Sequence, residues 1–297
     1  MTQLYSEKNL DTFFARFFSG ATIRSFLNNP DSIVSYVHEM NTLLGKNAIN
    51  VRKLTYSNLF EVAYDHLQKN YRNEYIYKNA IANKILLGIH SLNTSFMLQE
   101  FRVGNCKADS VILNGTSNVY EIKSELDSLE RLQNQLTAYL QVFDKVHVIT
   151  FPGHAQRIKK VIPSKVGLME LNNSNRGSIS TIREARSGKK TINTALLFDS
   201  LRKHEYQAII KNIYGSIPEV PNTKMYSACK ALFTRIKPEI AHDLAVIELK
   251  KRGSNVLLKD FISSVPDYFR SLSLRGDFSD REREEIINLL GKRIQLN

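Results

Sequence analysis

The 297-residue chain has no tryptophan, only two cysteines and only seven prolines. Cys106 and Cys229 belong to no C-x-x-C pair, which excludes a cysteine-based zinc site and a disulfide framework. A reduced, cytoplasmic setting is the expectation. No run approaches the ~18 apolar residues of a membrane span, so no membrane association is expected. The opening "MTQLYSEKNLDTFFARFF" carries acids and lacks a continuous apolar stretch, unlike a secretory leader. Internal repeats and low-complexity tracts are also missing. "NNSNRGS" (172–178) reads as a polar loop. What remains is an ordinary globular composition, 42% hydrophobic and 24% charged, in a chain long enough for one large or two modest domains.

Charge is distributed unevenly. Residues 1–150 hold 15 Lys/Arg against 14 Asp/Glu, whereas residues 151–297 hold 26 against 15. A basic half beside a neutral one suggests a polyanionic partner, nucleic acid above all, rather than a merely solvated surface. The segment His154–Lys190 carries nine Lys/Arg and two acids, among them Arg157, Lys159 and Lys160, and is expected to follow a nucleic-acid backbone through phosphate contacts.

Hydrophobic periodicity gives the fold class. "SIVSYVHEMNTLL" (32–44), "YSNLFEVAYDHLQKNY" (56–71) and "EYIYKNAIANKILLG" (74–88) carry apolar residues at helical spacing, the last ending on Gly88. "SFMLQEFRV", "KADSVIL" and "SNVYEIK" then read as strands, with Asn114-Gly115 as a hairpin turn. Leu129, Leu132, Leu136, Leu140 and Phe143 mark a helix capped by Asp127 or Ser128, and "KVHVITF" marks a further strand. "VGLMEL" and "SISTIREA" add two candidate strands. From Thr191 the pattern is helical again, and Ser279 with Glu282 forms a capping box before the last helix. The order helix, three strands, helix, strand predicts an α/β sandwich around a small mixed sheet.

Glu121 and Lys123 stand two apart near the end of a strand, so they share one face of the sheet. The hairpin brings Asp109, in the preceding strand, toward them. Two carboxylates and an ammonium converging in this way suit Mg²⁺, which takes hard oxygen ligands and leaves room for water and phosphate. An isolated E-x-K is commonplace and usually a surface pair; the upstream Asp, the hairpin and the helix that follows give this one its significance. Arg131 and Gln135 lie four apart on that helix, with Tyr139 four further on, at the border of the apolar face. Asp127 can pair with Arg131 and reads as structural. His154, after Pro152-Gly153, reads as a turn residue, since no Asp–His–Ser pattern surrounds it.

Asp109, Glu121-Ile122-Lys123, Gln135 and Tyr139 together resemble the core of the PD-(D/E)XK nuclease superfamily. The similarity is closest to a branch found in bacterial and phage genomes, with E-I-K-S, then D-x-L-x-R-L, a Gln, a Tyr and V-F-D before a strand. "KAD" (Lys107–Asp109) matches the segment preceding it. "IPSKVGLMEL" (Ile162–Leu171) is similar to a P-x-x-x-G-L segment, without the tryptophans expected there. The resemblance covers about residues 74–171 and leaves 1–70 without a counterpart. It implies a restriction-endonuclease-like core over 71–190, between helical regions at 1–70 and 191–297. It further implies Mg²⁺-dependent hydrolysis of phosphodiester bonds, with Mn²⁺ as a substitute and DNA as the expected substrate. Asp109 and Glu121 would ligate the metal, Lys123 would serve the attacking water, and Gln135 would touch that water or a phosphate. A further acid would come from Glu74, in the helix before the first strand; Glu100 competes for that role. Arg131, Arg157, Lys159 and Lys160 would contact nucleic acid. The alternative is a catalytically silent nuclease fold that binds nucleic acid or protein, with the helical regions open to a protein partner.

Overall fold

In the computed structural model the described residues are 2–45, 50, 54–89, 92–172, 177–253, 256–275 and 277–295. They divide into two units, Met1–Asn83 with Asn175–Gly177 and Val256–Asn297, and Lys84–Ser174 with Ser178–Asn255. The expected boundaries at 70 and 190 are therefore displaced. The helices that follow residue 190 pack with the sheet as far as Leu249, because their apolar residues share its core.

Aromatic side chains build the helical unit. It begins with α1 (Thr2–Phe17), α2 (Gly20–Asn28), α3 (Ser32–Leu44), α4 (Tyr56–Asn70) and α5 (Glu74–Ala80). Phe13, Phe17, Phe26 and Phe60 are at most 1% exposed, and Phe17 meets Phe60 edge-on at 5.6 Å. Such contacts add to the area that rings bury. The single helix expected over 74–88 is two pieces: α-helical to Ala80, then π-helical over Ile81–Leu86. Asn83 donates its amide to the Asn79 and Asp267 carbonyls, side-chain bonds of the kind that accompany departures from the regular ladder.

The second unit is a six-stranded sheet in the order β1-β2-β3-β4-β5-β6: β1 (Phe96–Val103), β2 (Cys106–Leu113), β3 (Ser117–Lys123), β4 (Lys145–Thr150), β5 (Gly167–Leu171) and β6 (Ile179–Arg183). β1–β2–β3 is an antiparallel meander, β3–β4–β5 is parallel, and β5–β6 is antiparallel. Parallel neighbours need crossovers, supplied by α6 (Leu132–Tyr139) and α7 (Ala155–Val161). The Asn114-Gly115 turn forms as expected, with Gly115 at φ 92°. The β1–β2 turn is Gly104-Asn105, with Gly104 at φ 54°. Both strands expected after β4 are present. Of the polar loop at 172–178, residues 173–176 lie outside the described residues.

Every residue of β3 is buried, as befits a strand at the centre of a sheet covered on both faces. Val111, Val119, Val146, Val148 and Leu168 form one face and pack with Leu132, Leu136 and Tyr139 of α6 and Ile158 of α7. The same core takes in α8 (Thr194–Asp199), α9 (Lys203–Tyr214), α10 (Asn222–Phe233) and α11 (Pro238–Lys250). A polar chain, buried at Ser117 and His242 and exposed at Asp243, fastens the sheet to α11: Ser117 Oγ lies 2.8 Å from His242 Nε2, and His242 Nδ1 lies 3.0 Å from Asp243 Oδ1. The order Ser–His–Asp is that of a hydrolytic triad, but Ser117 is 3% exposed and its Oγ accepts the Asp144 N–H, so it serves as a structural tie.

The chain returns to the helical unit through α12 (Val256–Ser264), α13 (Arg270–Ser273) and α14 (Asp280–Gly291). The expected Ser279/Glu282 capping box starts α14. Among the described residues no helix is long and apolar enough to cross a membrane.

Candidate active site

The site is assembled where the β2–β3 ladder stops. Ser110 and Tyr120 are the last paired residues, and one step beyond them come Asp109 and Glu121. Asp109 Oδ2 accepts the Ile122 N–H at 2.7 Å, replacing the missing ladder bond with a side chain. Glu121 is 1% exposed and Lys123 7%. Lys123 Nζ donates to Glu121 Oε1 at 2.8 Å and to Gln135 Oε1 at 3.1 Å. The Tyr139 hydroxyl lies 3.0 Å from Glu121 Oε2 and 2.9 Å from the Lys107 carbonyl. Gln135 and Tyr139, one helical turn apart on α6, thus face the same carboxylate.

Burial dominates the electrostatics. It pushes the Glu121 carboxyl above its ordinary range, against the opposing pull of Lys123 and of hydrogen bonds from Lys123, Tyr139 and Gln135. Burial, then the charge of Glu121, raises the Tyr139 hydroxyl far above its usual value, so it remains a hydrogen-bond donor.

Glu100 stands out by its backbone. Its φ is 57°, and among the described residues it is the non-glycine with positive φ. The β1–β2 register pairs Gln99 with Ser110 and Phe101 with Ala108, which puts Glu100 opposite Asp109. Carboxylate oxygens of these two residues lie within 4.8 Å of each other. Glu100 also pairs with Lys107 at 2.5 Å. Glu74 belongs to the helical unit, where it is exposed and pairs with Lys78 at 2.5 Å along α5.

Two expectations about the following loop are corrected. α6 begins at Leu132, and neither Asp127 nor Ser128 caps it. The Asp127 carboxylate instead accepts from Ser124 N at 2.9 Å and from Ser124 Oγ at 2.6 Å, closing a turn directly after Lys123. Arg131 is exposed at the N-cap of α6.

The basic segment is not uniformly free. Arg157, Lys159 and Lys160 are exposed on α7. Arg183 is occupied by the Val166 and Pro163 carbonyls, and Lys189 by Asp243 at 2.7 Å. Arg176 lies outside the described residues. His154 is the N-cap residue of α7 and stacks on Phe151.

Residues 67–270, more than half of the chain, match the profile of the family described as "Bacteriophage P4 protein cII". Protein cII of Enterobacteria phage P4 is 30% identical over 126 residues, 42% of this chain and 47% of that protein. The aligned stretch therefore spans about half the length of this relative. A solved protein of unknown function from Silicibacter pomeroyi aligns with 46% of this chain and 88% of its own, at 15% identity and a TM-score of 0.31.

Proposed function

The chain belongs to the Bacteriophage P4 protein cII family, and for this member we propose a metal-dependent nuclease that hydrolyses phosphodiester bonds, with DNA as the expected substrate. The sheet unit is read as a restriction-endonuclease-like core. The observation that carries this reading is the buried Glu121–Lys123–Gln135 cluster with Asp109 across the end of the ladder.

The donor set fits a hard divalent cation. Asp109 and Glu121 offer carboxylate oxygens, and Glu100 brings a third carboxylate beside Asp109. Glu74 and Glu100 both stay candidates for the further acid. When bound, Mg²⁺ or Mn²⁺ would supply Lewis-acid polarisation of the phosphodiester and acidify a water. The chain's own groups do the positioning. Lys123 has three N–H donors, of which Glu121 and Gln135 take two. The third is available to a water or a non-bridging phosphate oxygen, where a fixed positive charge favours the developing negative charge. Gln135 fixes the ammonium, and Tyr139 fixes the Glu121 carboxylate from the other side.

The test is cleavage of single- and double-stranded DNA and RNA with Mg²⁺ or Mn²⁺, stopped by EDTA. Asp109→Ala, Glu121→Ala and Lys123→Ala should each lower the rate by ~10² or more. Full activity in Glu121→Ala would sink the assignment. A second reading, a silent binding module, is favoured by the closure of the cluster: both Glu121 oxygens already have protein partners. It requires binding indifferent to divalent cations and no product on any substrate.

A further inference from the structure

β3 and β4 run parallel, so their C-terminal ends share one edge of the sheet, with Lys123 paired to Thr150. Thr150 Oγ1 donates to the Lys123 carbonyl at 2.8 Å, which ties the end of β4 to the lysine of the candidate site. The next residue is Phe151. Its ring and that of His154 lie 4.9 Å apart, inclined by only 28°. Gly153, at φ 89°, makes the tight turn that folds one ring back onto the other. Neither residue belongs to the apolar core of the sheet unit, and both are partly open to solvent. His154 Nδ1 is buried and has no hydrogen-bond partner, so the ring is held by packing and by its stack on Phe151. Arg157 follows one helical turn beyond His154, and Lys159 and Lys160 complete the exposed basic surface of α7.

We propose that Phe151 and His154 form a stacking platform for an unpaired base, and that the nucleic acid taken by this edge is single-stranded. This rests on the nuclease reading for the chemistry but not for the binding. Flat π-faces accept any base that is out of a duplex, while a neighbouring basic surface holds the backbone through phosphate contacts. A paired duplex keeps its bases stacked on one another and presents only phosphates to such a surface, so it would gain from Arg157, Lys159 and Lys160 without using the rings. Aromatic rings beside free cations at the edge that carries the candidate lysine therefore select by strandedness rather than by sequence.

The absence of tryptophan from the chain supplies the experiment. Phe151→Trp introduces a single indole whose emission is quenched when a base stacks on it. The full-length variant is titrated, with EDTA present to prevent cleavage, with a poly-dT oligonucleotide and with a blunt duplex. Quenching by the single strand and not by the duplex is expected. In parallel, fluorescence anisotropy of a labelled single strand should show about tenfold weaker binding for Phe151→Leu, which keeps apolar bulk but loses the π-face, with duplex binding changed less than twofold. Single-strand binding without quenching, equal losses on both substrates, or no single-strand binding would each overturn the platform. Base-dependent quenching in a protein that cleaves nothing under any metal would keep the platform and discard the nuclease.

Discussion

Glu100 holds a left-handed backbone conformation directly across the β1–β2 register from Asp109. A side chain at positive φ costs on the order of 1 kcal/mol or more, and such strain concentrates where function fixes the backbone. Glu100→Gly removes the strain together with the carboxylate. The exposed ion pair with Lys107 that disappears with it is worth little. The variant should be equally stable or more stable, by up to ~1 kcal/mol in urea unfolding, while Mn²⁺ affinity falls. Lower stability with unchanged Mn²⁺ affinity would return Glu100 to a structural role.

Cation binding should strengthen with pH. The Glu121 carboxyl is raised above its ordinary 4.5 by burial, so the folded state holds that proton more tightly than the unfolded chain does. A bound proton competes with a cation for the same oxygens, and the competition fades as pH rises through the folded value. Without metal, the charged carboxylate correspondingly costs stability as pH rises from about 4.5. Thermal unfolding with and without Mg²⁺ at acid and alkaline pH should show a larger metal-induced rise in Tm at the higher pH. At a concentration ten times Kd the stabilisation is about 1.4 kcal/mol. Glu121→Gln should lose the effect. A metal-induced shift that survives the substitution would place the cation elsewhere.

Much of this was legible because its signals are local. The strands around Asp109 and Glu121 are short runs rich in apolar residues, the Asn114-Gly115 turn is chemically marked, and Ser279/Glu282 is a local signal that forms as written. The convergence of Gln135 and Tyr139 on Glu121 follows from i, i+4 spacing on α6. Asp127 misled, because an aspartate before a helix serves equally well to close a turn, and Ser124 lay within its reach. The positive φ of Glu100 and its place across from Asp109 have no signature in side-chain pattern. The signal for that placement is Gly104-Asn105, a two-residue hairpin turn whose register counts back from Cys106 to set Glu100 against Asp109. The π-helical continuation of α5 and the sharing of one core by α8–α11 and the sheet are tertiary outcomes with no local code.

His147 makes the fold acid-sensitive. It lies in β4, 5% exposed, stacked at 4.8 Å on Tyr120, and both ring nitrogens lack a hydrogen-bond partner. Burial, with a smaller contribution from Lys145, lowers its pKa to about 4. The unfolded chain then binds the proton first. The stabilisation is fully present above about 6.5 and is lost as pH falls toward about 4, to a total of roughly 3 kcal/mol. His147→Phe keeps a ring against Tyr120 and removes the titration. Urea midpoints at pH 7 and pH 4.5 should fall less in the variant than in the native chain. Equal falls would assign the acid sensitivity to other groups.

Salt should separate the exposed cations of α7 from those built into the fold. Arg157, Lys159 and Lys160 are exposed, so each phosphate they neutralise releases condensed counterions. Changing all three to Gln should lower the slope of log affinity against log salt by roughly 0.7 for each phosphate of a single strand that is no longer neutralised. The aromatic contribution does not depend on counterions, so native and triple-variant affinities should converge as salt rises. Arg183 is the internal control. Its guanidinium donates to the Val166 and Pro163 carbonyls, and burial lowers its pKa. Arg183→Gln should therefore lower the unfolding midpoint and leave the salt slope where it was. Anisotropy titrations of a labelled single strand over a range of salt concentrations, beside urea unfolding of the same proteins, measure both quantities. An unchanged slope in the triple variant would make α7 a solvated rim. A reduced slope in Arg183→Gln would mean that the path of the strand extends across β6.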